Sequence, residues 1–546
     1  MPGYENGPES QAQYVRDFVP ALFAQGVARL FWFQLNDAPQ FTGPFETHGL
    51  LDTNLLSKPA YHAFQSVAAA PTLYGVLPAD EVSERTVRET IDAGCRRMDV
   101  EWARQETAPG VFAFDSLREV IRETESAGLR LFPTLYVGRG WMNQRVPRAE
   151  GAKEPRSFPP IDLQSSPDPV HLHSRTYYQF VRRFLEEFRG HFDYIAIENE
   201  PNSILYWGGG IVDTNTNAID PVRASLEYVW LVKTAYKAIK EIDPAVRVID
   251  GGMVTGVWGN VMAKDWLETK ARSRDEAIDF AFQYYTVGIP ANPEFANVTR
   301  DQLADILEGR VQSDFLTNTW PRVITIMDGL AGVVDGFNFH YYESYRWIPQ
   351  LADWIRDRTS RAPVSYLTPV VCNEIGIRGT AKTGCDPADP FAPEELDRQA
   401  RETCKTLVAC RVAALPVVTW FSIDTVCATN RIQTDNISLL NLDHTTLRAC
   451  GEAFRRVTRL LNAHGRWHRA VASGPDLFQY EFLDASARPV LVAAWTENGP
   501  MEITLAVPAG FSEVEVTDYL GRETVEQITS ETFTIAVESP VFIRWR

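Results

Sequence analysis

Short apolar runs alternate with segments of helical periodicity along residues 72–454. The first run, TLYGVLP (72–78), precedes an amphipathic segment in which Ser83 has the position of an N-cap. The other runs are RMDVEW (97–102), LFPTLYV (131–137), YIAI (194–197), VRVIDGGMV (246–254), GFNFHYY (336–342), PVVCNEIG (369–376) and VVTWFSI (417–423). Helical segments between them include residues 116–130, 177–190 and 225–243. Eight strand–helix units predict an α/β fold, a (β/α)8 TIM barrel with a parallel sheet.

The pattern changes near residue 466, where short strands follow one another with almost no helical periodicity. Short strand patterns separated by turns are typical of a β-sandwich. We therefore predict a (β/α)8 barrel over residues 71–465 and a C-terminal all-β sandwich over residues 466–546. Within the barrel, residues 141–175 and 257–325 are long insertions. On this fold, long loops usually lie at the carboxyl face and shape a cleft.

Residues 1–70 resemble the last strand–helix unit of the barrel. Trp32 matches Trp420, and residues 48–64 are similar to residues 437–454. We interpret the segment as a second, N-terminal copy of the eighth β/α unit, and chance similarity between two amphipathic units is the alternative. An isolated strand and helix cannot bury their own apolar faces. The segment is therefore expected to dock on this chain or to pair with another copy in a homo-oligomer.

The length, net charge and hydropathy of the chain indicate its domain number and exclude some classes of binding partner. A chain of 546 residues exceeds one ordinary core, which agrees with several domains. The formal net charge of −18 argues against nucleic acid or an anionic membrane as the main partner, because both need a basic surface. No apolar run approaches the roughly 18 residues of a membrane span. The first residues, MPGYENGPES, lack the regions of a signal peptide, which favours the cytoplasm unless the N-terminus is truncated.

Cysteine and histidine spacing gives no sign of a metal centre. The seven cysteines contain no CxxC pair and no zinc spacing, so they are predicted to be mostly buried free thiols. The nine histidines do not form a cluster with acidic residues that would suit a metal. We therefore predict that the protein uses neither a metal nor an organic cofactor.

Acidic residues end two of the predicted strands. YIAI is followed by ENEP (198–201), and Glu374 lies near the end of PVVCNEIG. A solvent-exposed turn would explain either acid alone, although carboxylates beside buried strands rarely lack a partner or a function. The carboxyl ends of barrel strands meet at one mouth. Glu200 and Glu374 are therefore expected to face each other there, together with His340 and Tyr342 from FNFHYY.

These strand ends resemble the clan A glycoside hydrolases, a retaining (β/α)8 group, in having NEP after strand 4, H-x-Y after strand 6 and NE-G after strand 7. Residues 96–135, with Arg97 and Trp102 before an acidic-Pro-Gly turn, resemble the second and third units of that clan. Trp420 matches the tryptophan that members of this clan have on strand 8. The resemblance covers residues 72–546. Glycoside hydrolase family 39 is the most similar family, and the family 5 cellulases are second.

The resemblance implies roles for individual residues. Glu200 would be the general acid/base and Glu374 the nucleophile of a pair of carboxyl groups about 5–5.5 Å apart, the separation of retaining enzymes. Asn199 would hydrogen-bond the sugar 2-hydroxyl, and Arg97 and Tyr342 would keep Glu374 ionised. The other residues predicted to contact substrate are His340, Trp141 and Trp420, of which Trp420, rather than Trp32, would line the mouth as a platform for a sugar ring. Glu198 is expected to point to the opposite face of its strand.

The function implied is hydrolysis of β-glycosidic bonds in an oligosaccharide or polysaccharide by a double displacement. A transglycosylase would use the same covalent intermediate, and a non-catalytic carbohydrate-binding barrel would have lost one of the glutamates. A metal-dependent barrel hydrolase would need clustered His and Asp ligands. A carbohydrate is thus the expected partner, and nucleic acid and membrane are not.

Overall fold

The computed structural model of the chain describes residues 72–143, 154–165, 172–213, 218–287, 297–360, 369–382, 390–422, 437–464, 467–474, 476–484 and 488–546, with eight isolated residues before position 72. Nearly all of the predicted N-terminal β/α unit, including Trp32, lies outside these residues. Its similarity to the eighth unit of the barrel therefore stays a prediction.

Eight parallel strands form the first domain. They are β1 (Leu73–Pro78), β2 (Cys95–Glu101), β3 (Arg130–Tyr136), β4 (Tyr194–Ile197), β5 (Arg247–Asp250), β6 (Phe337–Tyr341), β7 (Val370–Ile375) and β8 (Val417–Ser422). Each strand pairs with the next, and β1 pairs with both β2 and β8. Parallel bridges between Ile249 and Gly336 and between Met253 and Phe339 join β5 to β6. The sheet thereby closes, and the prediction of a (β/α)8 barrel is confirmed.

Helices separate consecutive strands. They are α1 (Asp115–Ser126), α2 (Arg175–Glu187), α3 (Pro221–Ile242), α4 (Trp258–Thr269), α5 (Arg274–Thr286), α6 (Arg300–Leu307), α7 (Trp320–Leu330), α8 (Ile348–Ser360), α9 (Pro393–Val412) and α10 (Ala449–His464). Short helical segments span Thr86–Ile91, Trp102–Gln105, Phe315–Thr319 and Tyr345–Trp347. Two small hairpins comprise Glu106–Ala108 with Val111–Phe112 and Ile211–Asp213 with Ala218–Ile219. The predicted insertion at 257–325 contains α4, α5 and α6.

Side-chain alternation along the strands gives the barrel two apolar layers. Cys95, Phe132, Ala196, Ile249, Val371 and Val417, from six strands, form one buried cluster inside the barrel. Their neighbours on the opposite face, such as Val248 and Val418, pack with the helices in the main core. A strand places alternate residues on opposite faces. Consequently, residues farther along the inward face reach the carboxyl mouth of the barrel.

Local sequence signals explain where several helices begin. The hydroxyl of Ser83 accepts a hydrogen bond from the backbone N–H of Thr86, as the N-cap prediction requires. Asp220 accepts from two backbone N–H groups at the start of α3, and Pro221 occupies a first-turn position, where its missing N–H costs nothing. Ser273 and Glu276 form a reciprocal capping box at α5.

The second domain is the predicted β-sandwich. Its strands are β9 (Trp467–Ser473), β10 (Phe478–Leu483), β11 (Pro489–Trp495), β12 (Met501–Ala506), β13 (Glu513–Asp518), β14 (Glu523–Gln527), β15 (Thr532–Val537) and β16 (Val541–Trp545). Six of them form one antiparallel sheet, and β12 and β15 form a second, with an apolar core between the sheets. The sandwich packs on the barrel, where Trp495 donates to the Tyr345 hydroxyl at 2.8 Å and Lys405 pairs with Glu497 at 2.8 Å.

The cysteines of the described residues fit the sequence prediction. Cys95, Cys372, Cys404, Cys410 and Cys450 are buried free thiols. Cys385 and Cys427 lie outside the described residues. Of the helices in the described part of the chain, none combines the length and the apolar character that a membrane crossing requires.

Candidate active site

The carboxyl ends of β4, β6 and β7 bring Glu200, His340 and Glu374 together. One potential ligand atom from each residue lies within 4.8 Å of the other two. Nδ1 of His340 is 3.0 Å from Oε1 of Glu200 and 3.7 Å from Oε2 of Glu374. The two glutamates therefore face each other beside one imidazole ring. Both are buried, with 7% and 6% of their surface exposed.

An unusual backbone path at the end of β4 directs Glu200 into the mouth. Glu198 has φ +63° and Glu200 has φ +46°. For residues other than glycine this region costs of order 1–3 kcal/mol each. Backbone hydrogen bonds to both neighbouring strands hold this path, because Glu198 N–H donates to Leu135 and Glu200 N–H donates to Gly251. The Glu198 carboxylate instead accepts from the N–H of Val137 at 2.6 Å, beside β3.

Glu374 lies among groups that favour its ionised form. Arg97 Nη1 donates to Oε2 at 2.6 Å, and the Tyr342 hydroxyl donates to Oε1 at 2.6 Å. Burial by itself would raise the pKa of Glu374, but the electrostatic interactions with His340 and with the Arg97 guanidinium, together with the Tyr342 hydrogen bond, outweigh it and lower the pKa. This carboxylate is thus charged at neutral pH and has both oxygens fixed.

Arg97 connects Glu374 to the rest of the mouth. Its side chain is 1% exposed, and its other hydrogen bonds go to the Thr134 hydroxyl, the Asn373 carbonyl and Oδ1 of Asn199. A guanidinium is planar and permanently charged, so it holds several acceptors in a fixed arrangement. Arg97 therefore orients Glu374 and Asn199 from beneath and does not itself face the cleft.

The pKa of Glu200 is shifted in the opposite direction to that of Glu374. Burial and the negative charge of Glu374 raise its pKa, and the hydrogen bond with His340 only partly opposes the rise. The two carboxyl groups therefore differ in the direction of their pKa shifts. Such a difference is what assigns acid and nucleophile roles to neighbouring carboxyl groups in hydrolytic sites.

The hydrogen bonds of Asn338 determine that Nε2 of His340 carries a proton. Oδ1 of Asn338 accepts from the N–H of Asn373, so its Nδ2 is the atom that donates to Oδ1 of Asn373 at 2.6 Å. That amide oxygen can only accept, so His340 Nε2, 2.8 Å away, must donate to it. His340 Nδ1 and Glu200 Oε1 are then left 3.0 Å apart with one proton between them. The imidazole is thus positioned to hold a proton at Glu200.

Gly252 allows the imidazole to pack against β5. It has φ +77°, and a Cβ at this position would lie 2.1 Å from His340 Nε2. Any other residue would combine a strained backbone with a clash at the ring. This glycine therefore belongs to the support of the site.

The predicted role of Trp420 as a sugar platform is wrong. Trp420 is 0% exposed, its indole donates to the Ile437 carbonyl at 2.8 Å, and its ring packs edge-on against Phe454 of α10. Alternation along β8 places it on the outer face of the barrel. The following residue, Phe421, is partly exposed and contacts the ring of Tyr342 edge-on, with centroids 6.4 Å apart. Phe421 is therefore the aromatic residue of this strand beside the cleft.

Two other predicted substrate contacts also have different surroundings. His340 is 0% exposed, so it orients Glu200 and does not present a free edge to a sugar. The indole of Trp141 donates to the Glu106 carbonyl at 2.8 Å, and its ring packs edge-on against Trp102. Neither of these partners belongs to the cluster around the glutamates. The structure brings together Arg97, Asn199, Glu200, His340, Tyr342 and Glu374, and it places Trp420 on the other face of β8. Trp141 is partly exposed, and its contact with substrate stays a prediction.

Three further residues around the cluster, Asp99, Arg156 and Tyr206, were not predicted. Asp99 and Arg97 are two residues apart on β2, so period-2 alternation could have identified Asp99. Arg156 belongs to the insertion after β3, and its guanidinium forms an ion pair with Oδ2 of Asp99 at 2.9 Å. The charges of both Glu200 and Glu374 act on Tyr206, which follows the ENEP segment. No local pattern in the sequence distinguishes Arg156 or Tyr206 from other loop residues.

Glu200, His340 and Glu374 are also the residues that could hold a metal ion. They are the one such group found in the parts of the chain that the structure describes. Both oxygens of Glu374 already accept hydrogen bonds from Arg97 and Tyr342, and the guanidinium charge opposes a second cation. The arrangement therefore suits two carboxyl groups with opposite pKa shifts better than it suits a bound metal ion.

A solved glycoside hydrolase has a similar fold. A family 39 glycoside hydrolase from the gut symbiont Bacteroides cellulosilyticus WH2 has a TM-score of 0.54 and 15% identity, covering 87% of this chain and 81% of its own. A GH30 endoxylanase from Clostridium papyrosolvens C71 has a TM-score of 0.48 and 10% identity, covering 88% and 97%. No family model matches this chain, and the comparison with curated proteins gave no match. The first similarity confirms the resemblance to family 39 at the level of the fold.

Proposed function

We propose that this protein is a retaining glycoside hydrolase that cleaves β-glycosidic bonds in an oligosaccharide or polysaccharide. The observation that carries the proposal is the pair of carboxyl groups at the barrel mouth. Glu200 and Glu374 have ligand oxygens within 4.8 Å, which supports the retaining separation of about 5–5.5 Å and not the inverting one of about 6.5–9.5 Å. The pKa is raised at Glu200 and lowered at Glu374, as an acid and a nucleophile require.

In the first step Glu374 attacks the anomeric carbon while Glu200 protonates the glycosidic oxygen. The bond from the anomeric carbon to that oxygen breaks, and the leaving sugar departs as an alcohol. Glu374 is then bonded covalently to the remaining sugar, and Glu200 is a carboxylate. The lowered pKa of Glu374 supplies the anion, and the raised pKa of Glu200 supplies the proton.

In the second step Glu200 acts as a base. It takes a proton from a water molecule as the water oxygen attacks the anomeric carbon, and the bond to Glu374 breaks. Two inversions at the anomeric carbon give net retention. Nδ1 of His340 is 3.0 Å from Oε1 of Glu200, so it can keep this carboxyl group oriented in both steps.

Arg97 and its partners support the charge changes. The guanidinium stabilises Glu374 as an anion, both before attack and as it leaves. Because Oδ1 of Asn199 already accepts from Arg97, the amide nitrogen of Asn199 is the group left to donate to the substrate. A hydrogen bond from Asn199 to the sugar 2-hydroxyl would strengthen as charge develops at the anomeric carbon.

The proposal is tested by the stereochemistry of the product. A panel of aryl β-glycosides and β-linked polysaccharides should identify a substrate, and NMR of the first product should show the β-anomer before mutarotation. A 2-deoxy-2-fluoro glycoside with a good leaving group should label Glu374 covalently, detected by mass spectrometry of peptides. An α-anomer as first product would refute the retaining mechanism, and failure to turn over any glycoside would refute the hydrolase function.

Chelation should leave activity intact. Two carboxyl groups accomplish both steps without a metal, and Arg97 places a positive charge where a cation would bind. We expect an unchanged kcat/KM after dialysis against EDTA, compared with a sample to which the divalent cations are restored. A complete loss that a metal restores would contradict the carboxylate mechanism.

A further inference from the structure

The short loop between β6 and α8 connects the active site to the second domain. It comprises residues 342–347, between the end of β6 and the start of α8. Its first residue, Tyr342, donates a hydrogen bond to Oε1 of Glu374 at 2.6 Å. Its fourth residue, Tyr345, is 3% exposed and lies against the sandwich. Three residues of chain span at most about 11 Å, so the two contacts are tied closely together.

Both hydrogen bonds of the Tyr345 hydroxyl are made with the sandwich. The indole N–H of Trp495 donates to this hydroxyl at 2.8 Å, and the hydroxyl donates to Oε1 of Glu497. The Tyr345 ring packs edge-on against the rings of Trp495 and Phe478, with centroids 5.5 and 5.6 Å apart. A buried hydroxyl that lost these partners would remain unsatisfied, which is costly. The sandwich therefore determines the position of this side chain.

Ion pairs hold Glu497 and the next residue of the loop. Nζ of Lys405, from α9, is 2.8 Å from Oε1 of Glu497, and Arg346 approaches Oε2 to 3.5 Å. The Arg346 guanidinium also lies over the ring of Phe478, 5.6 Å from its centroid. Burial alone would raise the pKa of Glu497, but Lys405 and the Tyr345 hydroxyl outweigh it and lower the pKa. Two consecutive residues of the loop are thus bound to the sandwich.

Hydrogen bonds within the loop pass this position on towards β6. The hydroxyl of Tyr341, the last residue of β6, donates to the Ser344 carbonyl at 2.7 Å. The N–H of Trp347 donates to the same carbonyl at 3.3 Å. The loop is therefore braced against the end of β6, and a shift of Tyr345 also shifts Tyr342.

We propose that Trp495 and Glu497 of the sandwich are positioning residues for the active site. By holding Tyr345 they fix the loop after β6, and the loop fixes the hydroxyl of Tyr342 on Glu374. The inference rests on the proposed hydrolase function and assigns the second domain a part in it. Neither positioning residue touches the substrate, since each acts through the loop. A displacement of about 1 Å caused by a change far from the chemistry can cost about 100-fold in rate.

The expected consequence of releasing Tyr342 is a change at Glu374. Burial opposes the ionisation of Glu374, and interactions with His340, Arg97 and the Tyr342 hydroxyl outweigh it and lower its pKa. Glu374 attacks as the anion, so kcat/KM falls as the pH drops through this pKa. A loop that releases Tyr342 removes one of the interactions that lower the pKa. The acidic limb of the pH profile should then move to higher pH.

The first test compares single variants of the full chain. Glu497→Ala removes the acceptor of the Tyr345 hydroxyl, and Tyr345→Phe removes the hydroxyl but keeps the ring. Each should lower kcat/KM of the best glycoside by about 10- to 100-fold and move the acidic limb to higher pH. Tyr519→Phe is the matched control, because the Tyr519 hydroxyl also joins the sandwich to the barrel, at Asp397 of α9, outside the loop. It should change neither quantity, and an equal loss in Tyr519→Phe would overturn the positioning role.

The second test combines these changes with the loss of the Tyr342 hydroxyl. Tyr342→Phe should itself lower kcat/KM by about 10- to 100-fold, as for the loss of a hydrogen bond to a charged group. In that background Glu497→Ala should cost little more, because the hydrogen bond through which it acts is already absent. Equal losses from Glu497→Ala in both backgrounds would overturn the proposal and leave the contacts of the sandwich a purely structural role.

Crystal structures of the wild-type protein and of Glu497→Ala give a readout that does not depend on turnover. In the variant, the Tyr342 hydroxyl should lie beyond hydrogen-bond distance of Glu374 or occupy two positions. A loop that keeps its wild-type position would overturn the positioning role, even if the wild-type protein cleaves glycosides. If the wild-type protein turns over no glycoside, the hydrolase function fails, and the two crystal structures still decide whether the sandwich holds Tyr342 on Glu374.

Discussion

Replacing Glu374 by glutamine should lower turnover of the best glycoside by at least about 10⁴-fold. The amide has nearly the same shape, so the protein should fold, but it carries no negative charge and cannot form the glycosyl ester. Arg97 and Tyr342, which donate to the two carboxylate oxygens at 2.6 Å each, would then face a weaker acceptor. The measurement is kcat on an aryl glycoside, with the melting temperature as a check on folding.

Two further variants test whether the loss of turnover is caused by the loss of the Glu374 carboxylate itself. Glu119→Gln, an exposed carboxyl on α1, is the matched control and should keep wild-type activity. Glu374→Ala opens space at the anomeric carbon, so added azide should attack an activated aryl β-glycoside there and give the α-glycosyl azide. Glu374→Gln that keeps more than a tenth of wild-type turnover, in a sample free of contaminating wild-type enzyme, would contradict the nucleophile assignment.

The barrel and the position of its mouth could be predicted from sequence because the physics involved is local and repetitive. Buried parallel strands appear as apolar runs, and each is followed by a segment of helical period. Once the strands are ordered, their carboxyl ends must lie together, which places Glu200 and Glu374 at one mouth although they come from β4 and β7. The resemblance also implies that Arg97 and Tyr342 keep Glu374 ionised, whereas the contact between His340 and Glu200 is visible only in the folded chain.

Trp420 illustrates an error that strand geometry could have prevented. Val417 lies inside the barrel, and alternation then places Thr419 and Phe421 on that same face, with Trp420 on the other. The resemblance of motifs places Trp420 at the mouth because it does not take this alternation into account. Thr419 does face inward, because its hydroxyl donates to the carbonyl of Asn373.

Contacts between distant loops were beyond sequence reasoning. Arg156 and Tyr206 are brought together by hydrogen bonds between the backbones of two loops, and such pairing leaves no period or motif in the chain. His340 is a related case. Its position at the end of β6 was predictable, but its complete burial results from contacts with Asn373 and Glu200, and from the space left by Gly252.

Replacing Glu200 by alanine should have an effect that depends on the leaving group. A sugar or alkyl alcohol needs a proton to depart, so its release should slow by about 10²–10⁴-fold, the usual contribution of a general acid. A dinitrophenolate leaves without a proton, so formation of the covalent intermediate from its glycoside should be nearly unaffected. Its hydrolysis would then become rate-limiting, and a burst of phenolate followed by a slow phase should appear in stopped-flow measurements.

The pH dependence of the same variant tests the assignment in a second way. Wild-type Glu200 is active when protonated, and its pKa is raised, so kcat/KM should fall as the pH rises through that pKa. This basic limb should vanish in Glu200→Ala with the dinitrophenyl substrate. Glu198→Gln is the informative control, because burial also raises the pKa of Glu198, to about 7, but its carboxyl group faces Val137. If the basic limb persists in Glu200→Ala and disappears in Glu198→Gln, then Glu198 and not Glu200 determines it, and the acid/base role assigned to Glu200 is wrong.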